Sequence, residues 1–203
     1  MQGQCRVSKS QRLRLQLNPN SAQGAAVSNT TIGLPELFGS PICVSVQPKL
    51  TAYRGRLLSA DPRERGTPVH AASFLRKREI VLESQLLAKK SDLRLILVHE
   101  IFHFVWLRLG NPKRREFRAL LEQELKAGAR GEMGESAGVH KLALRRNVTS
   151  DRARLEYVCE SFCDSGAWLY AGIKTSSSWT LRTRWQRRRK RWFEEVFAAP
   201  RRC

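Results

Sequence analysis

Apolar and polar residues alternate over short stretches in the first part of the chain, and this alternation predicts β-strands. Most of these stretches are flanked by glycine, proline, serine or asparagine, the residues that favour turns. Residues 54–68 contain glycine, proline and aspartate without a clear alternation, so we expect a loop over this range. The predicted strands cover residues 13–17, 42–46, 49–53, 71–75 and 78–83.

From about residue 90 onward the apolar residues recur every three or four positions, which is the period of an amphipathic helix. The first helix begins near Ser91 or Asp92 and ends at the Gly-Asn-Pro sequence of residues 110–112, because glycine and proline stop helices. Strands therefore precede helices along the chain, an order that indicates an α+β fold with its sheet segregated from its helices. The later helices are predicted over residues 112–128, 136–146, 149–172 and 180–199.

Composition divides the 203 residues into three ranges. Residues 1–40 are polar and have little apolar surface to bury, so we expect a mobile or loosely packed segment. Residues 41–174 have enough apolar positions for one core, and we expect a single domain there that carries the chemistry. Residues 175–203 form a basic amphipathic helix, and we expect its tryptophan and phenylalanine side chains to pack on that domain.

The first predicted helix contains three ionisable side chains within the apolar sequence LILVHEIFHFVW. Burying a polar group without a partner costs roughly 2–7 kcal/mol, so His99, Glu100 and His103 require hydrogen bonds, an open cleft or a metal ion. His99 and His103 are four residues apart, so they lie on one helix face and can bind the same ion. This HExxH spacing is typical of zinc peptidases, although two hydrogen-bonded core histidines would have the same spacing.

A second acidic pair follows in EYVCESFCDSGAW, where Glu160 and Asp164 are four residues apart on the helix predicted over 149–172. HExxH followed by ExxxD resembles the gluzincins, the thermolysin-like clan of zinc peptidases. The resemblance is confined to these two helices, and the sequence departs from thermolysin at Cys159, where that family usually has asparagine. The alternative is that Glu156, Glu160 and Asp164 form an ordinary polar stripe of a helix.

The resemblance implies a zincin-like fold, with a small N-terminal sheet packed on the active-site helix, and a zinc-dependent peptidase activity. It implies one Zn²⁺ per chain bound by His99, His103 and Glu160, with Asp164 holding the distal nitrogen of His99. Two histidines and one glutamate leave a fourth position for water, as a catalytic zinc requires. Glu100 would be the general base that acts on a metal-activated water, and the substrate would be a protein or peptide.

Two further parts of a peptidase site have several candidates. An extended substrate would pair with an exposed strand before the active-site helix, and the strand near residues 78–84 is either that edge or an ordinary interior strand. The residues of the possible substrate edge are Arg78, Ile80 and Leu82. A tetrahedral oxyanion also needs a stabilising side chain, and the sequence does not choose among the available ones. They are Tyr157, His140, Tyr170 and Tyr53.

The five cysteines form neither an even disulfide set nor a CxxC pair, so we expect reduced thiols in a cytoplasmic protein. Cys159 and Cys163 flank Glu160 at helical spacing. Thiolates bind zinc well, but buried structural cysteine is commoner and is the preferred interpretation. The N-terminus lacks the apolar segment of a secretory signal, and no apolar run reaches the length that spans a membrane.

The formal net charge of +19 favours contact with polyanions, of which nucleic acid is the first candidate. In the last predicted helix a basic run lies opposite the aromatic stripe. A solvated face is the preferred interpretation of this run, and contact with phosphates is the alternative. The run consists of Arg187, Arg188, Arg189, Lys190 and Arg191.

Two functional hypotheses therefore follow from the sequence. One is a zinc-dependent peptidase; the other is a basic nucleic-acid-binding or regulatory module with a vestigial or structural zinc site. Glu100 distinguishes them, because a purely structural zinc site has no use for a carboxylate beside its ligands. Its presence favours the peptidase.

Overall fold

The computed structural model describes residues 13–17, 33–61, 63, 65–146 and 150–197. The chain forms two compact units: the first contains the strands and ends at Ala88, and the second contains Gly33 together with the residues from Lys89 onward, including the α-helices. This order confirms the α+β class. The boundary between the units falls inside the range 41–174, and most of the predicted N-terminal segment, residues 1–12 and 18–32, lies outside the described residues.

The first unit contains two small sheets. One has the strand order β1-β2-β7-β6, in which β1, β2 and β7 are parallel and β6 runs antiparallel to β7. The other is antiparallel and has the order β4-β3-β5. The strands are β1 Leu15–Leu17, β2 Ile42–Gln47, β3 Leu50–Tyr53, β4 Arg56–Ser59, β5 Thr67–Pro68, β6 Ala71–Phe74 and β7 Glu79–Glu83.

The range 54–68, predicted as a loop, contains β4 and β5, so this prediction was wrong. Arg54 and Gly55 have φ angles of 46° and 73° and join β3 to β4 as a two-residue hairpin turn. Positive φ at both turn residues is the geometry that matches the twist of paired strands. Arginine before glycine is not one of the usual signals for this turn, and the hairpin was therefore missed.

Strand β7 lies in the interior of its sheet, because it pairs with β2 on one side and with β6 on the other. Ile80 and Leu82 are fully buried, and Arg78 precedes the strand with its Nε–H donating to the carbonyl of Pro41. A strand with both edges paired has no free backbone groups for a substrate. Of the two alternatives for residues 78–84, the substrate-binding edge is therefore wrong.

The second unit consists of five α-helices within the described residues, each close to a predicted range. Pro112 occupies the first turn of the second helix, where its missing N–H leaves no helical bond unmade. Ser150 caps the fourth helix by accepting a hydrogen bond from the backbone N–H of Ala153. The helices are α1 Lys90–Arg108, α2 Asn111–Lys126, α3 Glu135–Arg146, α4 Asp151–Tyr170 and α5 Thr183–Phe197.

Helices α1 and α4 approach each other closely. A Cβ atom at Gly166 of α4 would lie 2.3 Å from the ring of Phe102 on α1, so only glycine permits this approach. Phe102 and Phe162 belong to an aromatic core that also receives Phe193 of α5, with ring centroids 5.1–6.1 Å apart. This core sets the register of α1 against α4 and thereby the positions of their polar side chains.

Helix α5 packs through its aromatic stripe, in agreement with the predicted packing of this helix. The Trp192 ring lies 4.8 Å from that of Phe117 on α2, and Trp185 and Phe193 are also buried. No helix in the described residues is long and apolar enough to cross a membrane.

Candidate metal centre

Helices α1 and α4 bring four of the predicted site residues together. His99 Nε2 lies 3.2 Å from Glu160 Oε2, and His103 Nε2 lies 3.8 Å from Glu160 Oε1. The other ring nitrogen of His99, Nδ1, lies 2.7 Å from Asp164 Oδ1. We call these four residues the histidine–carboxylate cluster. Each helix contributes two of them at a spacing of four residues, so each pair lies on one helix face.

The start of α3 positions both carboxylates of the cluster. The backbone N–H of Ala137 donates to Asp164 Oδ2 at 2.8 Å, and the hydroxyl of Ser136 donates to Glu160 Oε2. A carboxylate at a helix N-terminus is favoured by the unsatisfied N–H groups and by the helix dipole. Gly134 leaves the space for Asp164, because a Cβ at this position would lie 2.3 Å from Asp164 Cγ.

This contribution of α3 was not predicted from the sequence. The sequence GESA at residues 134–137 indicates a helix start, but nothing in it indicates which carboxylate this start receives. A glycine directly before a helix, with a serine at the second helical position, is the feature that could have raised the question. The partner itself follows only from the packing of α3 against α4.

The ionisation of the cluster reflects mutual stabilisation of its charges. Burial alone would lower the pKa of His99, but the hydrogen bonds to Asp164 and Glu160 outweigh it and raise that pKa well above its usual value. Burial alone would raise the pKa of Glu160, but His99 and His103 lower it to about 2. A metal ion bound by these nitrogen atoms would therefore have to displace their protons.

Glu100 lies beside the two histidines. It is buried, with 8% of its surface exposed, and its negative charge raises the pKa of both His99 and His103. The carboxylate of Glu100 therefore acts electrostatically on both rings.

Two sulfur atoms face Nδ1 of His103, the ring nitrogen that does not face Glu160. Its Nδ1 is 3.4 Å from Cys163 Sγ and 3.7 Å from Cys159 Sγ. A hydrogen bond from Cys163, together with His103, outweighs burial and lowers the pKa of Cys159 to about 6, whereas burial raises that of Cys163. In the described residues, two sets of three ligand atoms lie within 4.8 Å of one another: His99 with His103 and Cys163, and His103 with Cys159 and Glu160.

The four candidates for oxyanion stabilisation lie in four different environments. Tyr157 is fully buried and its hydroxyl donates to Glu132 at 2.6 Å, so the proposed oxyanion role of Tyr157 is wrong. His140 is partly exposed on α3, 3.8 Å from Glu156, which precedes Glu160 by one helical turn. Tyr170 stacks on Phe102, and burial raises its pKa to about 12, while Tyr53 belongs to the first unit.

Arg189 is fully buried, so its predicted contact with polyanions is wrong. Its Nη2 donates to Glu124 at 2.7 Å, and its Nη1 donates to Glu132 at 2.8 Å and to Ser161 at 2.9 Å. Lys141 donates to the same Glu132 at 2.8 Å. We call this the Arg189 network; its members are Arg189, Lys141, Glu124 and Glu132 with the hydroxyls of Tyr157, Ser161 and Ser165.

A sequence signal for the burial of Arg189 does exist. It lies four residues after Trp185 and three and four residues before Trp192 and Phe193, so it belongs to the apolar stripe and not to the opposite face. The adjacent basic residues obscured this pattern. Arg187, Lys190 and Arg191 are exposed, and Arg188 reaches the side chain of Gln123.

No protein-family model, curated protein or solved structure matches this chain. Function is therefore inferred from side-chain geometry and chemistry.

Proposed function

We propose that the chain is a zinc-dependent peptidase with a zincin-like fold. His99, His103 and Glu160 hold the zinc ion, Asp164 orients His99, and Glu100 is the general base. The observation that carries this proposal is that α4 sets Glu160 against Nε2 of both histidines while Asp164 occupies the remaining nitrogen of His99.

The separations around Glu160 support a zinc ion shared with both histidines, although the three proposed ligands are not among the sets whose ligand atoms all lie within 4.8 Å of one another. Ligand atoms that bind zinc at about 2.0–2.2 Å in a tetrahedron lie about 3.3–3.6 Å apart. Glu160 Oε2 lies 3.2 Å from His99 Nε2 and Glu160 Oε1 lies 3.8 Å from His103 Nε2, so each oxygen is close to this separation from one histidine. A carboxylate on the distal nitrogen of a ligand histidine fixes its tautomer, and Asp164 supplies that contact to His99.

The side chains around the site have separate tasks in hydrolysis. When bound, zinc would act as a Lewis acid that lowers the pKa of water toward about 7. Glu100 accepts the proton of the attacking water and passes it to the leaving amine. The Ser136 hydroxyl fixes the orientation of the Glu160 carboxylate. His140 is the candidate that stabilises the oxyanion, because it lies on α3 one turn from Ser136.

The substrate class is a protein or peptide, and we place the activity in the cytoplasm. Cys159 and Cys163 support this location, because thiols beside a metal-binding histidine need a compartment that keeps them reduced.

A second candidate function is non-specific binding of nucleic acid, with the zinc site in a structural or vestigial role. It is favoured by the exposed Arg187, Lys190 and Arg191 on α5, together with the net charge of +19. Glu100 weighs against it as the main function, because a carboxylate beside both histidines has no task in a purely structural zinc site.

Substitution of Glu100 tests the proposed function. Glu100→Gln should keep zinc and the fold, because the amide has nearly the same shape and Glu100 is not a ligand. Cleavage should fall by about 10²–10⁴-fold, because glutamine cannot accept the proton. Unfolded casein and a mixed peptide library serve as substrates, and zinc is measured on the same samples.

The matched control is Glu116→Gln, an exposed glutamate of α2 paired with Lys113, which should leave cleavage unchanged. If wild type and Glu100→Gln cleave equally well, the assignment of the base is wrong. If wild type holds zinc and cleaves neither substrate, the structural role of the second candidate is favoured.

A further inference from the structure

The two histidines of the cluster have different partners on their second ring nitrogen. His99 Nδ1 faces the carboxylate of Asp164 at 2.7 Å, which is an ordinary arrangement for a metal-binding histidine. His103 Nδ1 faces two sulfur atoms, Cys163 Sγ at 3.4 Å and Cys159 Sγ at 3.7 Å. Both separations are within the range of hydrogen bonds to sulfur.

The same helix supplies both kinds of partner. Cys159 directly precedes Glu160, and Cys163 directly precedes Asp164, so α4 repeats a cysteine–carboxylate pair after one helical turn. Both carboxylates of this repeat face His99, Glu160 also faces Nε2 of His103, and both sulfur atoms face Nδ1 of His103. Cys163 is fully buried and Cys159 is partly exposed, and both sulfur atoms lie on the Nδ1 side of the His103 ring.

Direct binding of the metal by sulfur is the competing role. The two sets of ligand atoms that lie within 4.8 Å of one another each contain a cysteine. However, a neutral imidazole has one free lone pair, on one nitrogen, and carries its proton on the other. Glu160 lies toward Nε2 of His103, whereas the sulfur atoms lie toward Nδ1. A metal ion that shares Glu160 and both Nε2 atoms leaves the sulfur atoms to accept from Nδ1–H.

We propose that Cys159 and Cys163 are positioning residues for His103: their sulfur atoms accept the Nδ1–H hydrogen bond and hold Nε2 toward the metal. The proposal rests on the zinc site of the proposed function. It assigns to the sulfur pair the task that Asp164 performs for His99, and it makes zinc affinity depend on two residues that do not bind zinc.

Zinc affinity of a set of variants tests this role, measured by competition with a chromogenic chelator under reducing conditions. Cys159→Ala/Cys163→Ala should bind zinc about 10–100-fold more weakly, the usual effect of removing an outer-shell partner. Cys159→Ser/Cys163→Ser should recover most of the affinity, because a hydroxyl also accepts the hydrogen bond. Cys43→Ala, a thiol of the first unit, is the control and should bind zinc like wild type.

Cobalt substitution separates the outer-shell role from direct ligation. The wild-type protein with Co²⁺ should lack the near-ultraviolet sulfur-to-cobalt charge-transfer band and should show only the visible bands of nitrogen and oxygen ligands. A charge-transfer band that disappears in the double alanine variant would overturn the proposal by making sulfur a ligand. Unchanged zinc affinity in the double alanine variant would also overturn it.

Variants of the proposed ligands test the zinc site itself. His103→Ala and Glu160→Ala should lose zinc, and if they keep it with unchanged affinity the proposed site is wrong whatever the cysteines do. Far-ultraviolet circular dichroism shows whether the double alanine variant folds. If it does not, the role of the cysteines is tested by comparing the double serine variant with wild type and by the cobalt spectrum. A serine variant with wild-type affinity and a wild type without the sulfur band support the role of the pair.

Discussion

Helix α4 carries two buried polar clusters on neighbouring faces, and they differ in how their charges are balanced. In the Arg189 network, Arg189 and Lys141 supply two positive charges and Glu124 and Glu132 supply two negative charges. Every one of these ionic side chains has a partner of the opposite sign. Such a network is closed, and a ligand would have to break an existing contact to enter it.

The histidine–carboxylate cluster is balanced in a different way. Glu160 and Asp164 carry two negative charges, and their partners are two histidines, the Ser136 hydroxyl and the backbone N–H of Ala137. When both histidines are in their neutral, metal-binding form, the cluster has two uncompensated negative charges. Two protons or one divalent cation restore the balance. From this comparison we expect the closed cluster to stabilise the fold and the open cluster to be the one that can accept a ligand.

The largest loss in the free energy of unfolding is expected when the Arg189 network is broken. Arg189→Met keeps an apolar side chain but leaves Glu124 and Glu132 buried without their shared guanidinium. Removing one partner of a buried ion pair costs about 3–5 kcal/mol in the free energy of unfolding. Urea unfolding of the zinc-free protein measures it. Arg191→Met, which removes an exposed arginine of the same helix, should change the value by less than about 0.5 kcal/mol. Equal costs for the two variants would contradict the comparison.

The two clusters should also differ in their dependence on pH. Burial opposes ionisation of Glu132, but Arg189 and Lys141 lower its pKa from 4.5 to about 2. Its stabilisation is therefore present above pH 4.5 and lost as the pH falls toward 2, with a magnitude on the order of 3 kcal/mol. Burial raises the pKa of Glu124 and offsets part of this loss. Glu160 titrates in the same window, so both clusters weaken in acid.

Only the open cluster should weaken on the alkaline side. The pKa of His99 is raised, so its stabilisation is present below pH 6.5 and is lost as the pH rises through the folded-state pKa. Ionisation of Cys159, whose pKa is lowered to about 6, adds stability over the same pH range and opposes this decline. Urea unfolding of a Cys159→Ala variant between pH 6 and 9 with a chelator should therefore show the decline, and zinc should reverse it by replacing the protons. Adding His99→Gln should reduce the decline to the part that His103 contributes, since the pKa of His103 is also raised, and should remove the effect of zinc. A wild type whose stability is independent of zinc at pH 8 would contradict an open cluster.

The sequence was sufficient to predict structural features that depend on one helix at a time. The spacing of His99 with His103 and of Glu160 with Asp164 defines the faces that α1 and α4 present to each other, and the apolar residues around them place both helices in the interior. Features that depend on a third element were not predictable in this way. The donors from α3 and the carboxylate partner of Tyr157 depend on how α3 and the loop around Glu132 pack on α4.

The error at Arg189 has a physical cause as well. The composition of a basic run does not reveal whether one of its members is buried. The burial of Arg189 depends on two glutamates that lie 57 and 65 residues away in the sequence. The missed hairpin of β3 and β4 is a simpler case. Its turn uses Arg-Gly, a pair that adopts the required positive φ angles but is rare enough in such turns to resemble a loop.

Replacing either of two glycines near the start of α3 with alanine should change the free energy of unfolding by a smaller amount, with opposite signs at the two positions. Gly134→Ala would place a methyl group 2.3 Å from Asp164 Cγ, so Asp164 must move away from His99 or from Ala137. Overpacking of this kind costs about 1–3 kcal/mol, and displacement of Asp164 from His99 should weaken zinc binding about 10–100-fold. Gly138→Ala, four residues later, meets no atom within 4 Å and should stabilise the helix by up to about 1 kcal/mol. Thermal unfolding and zinc competition distinguish the two variants.

The smallest effect on stability is expected for the exposed charges of α5, which differ from Arg189 only in the side of the helix they occupy. Arg187, Lys190 and Arg191 are exposed, so replacing all three with glutamine should change the free energy of unfolding by less than about 0.5 kcal/mol per residue and should leave zinc content unchanged. If this face binds phosphates, binding to duplex DNA of random sequence should weaken, and the slope of log affinity against log salt should become shallower by about 0.9 for each phosphate that is no longer neutralised. Fluorescence anisotropy at several salt concentrations measures both quantities. Affinity that is unchanged in the glutamine variant would show that these basic side chains are only a solvated surface. A sequence-specific complex that survives high salt would instead favour nucleic-acid binding over the peptidase, because it would require base recognition that charge alone does not provide.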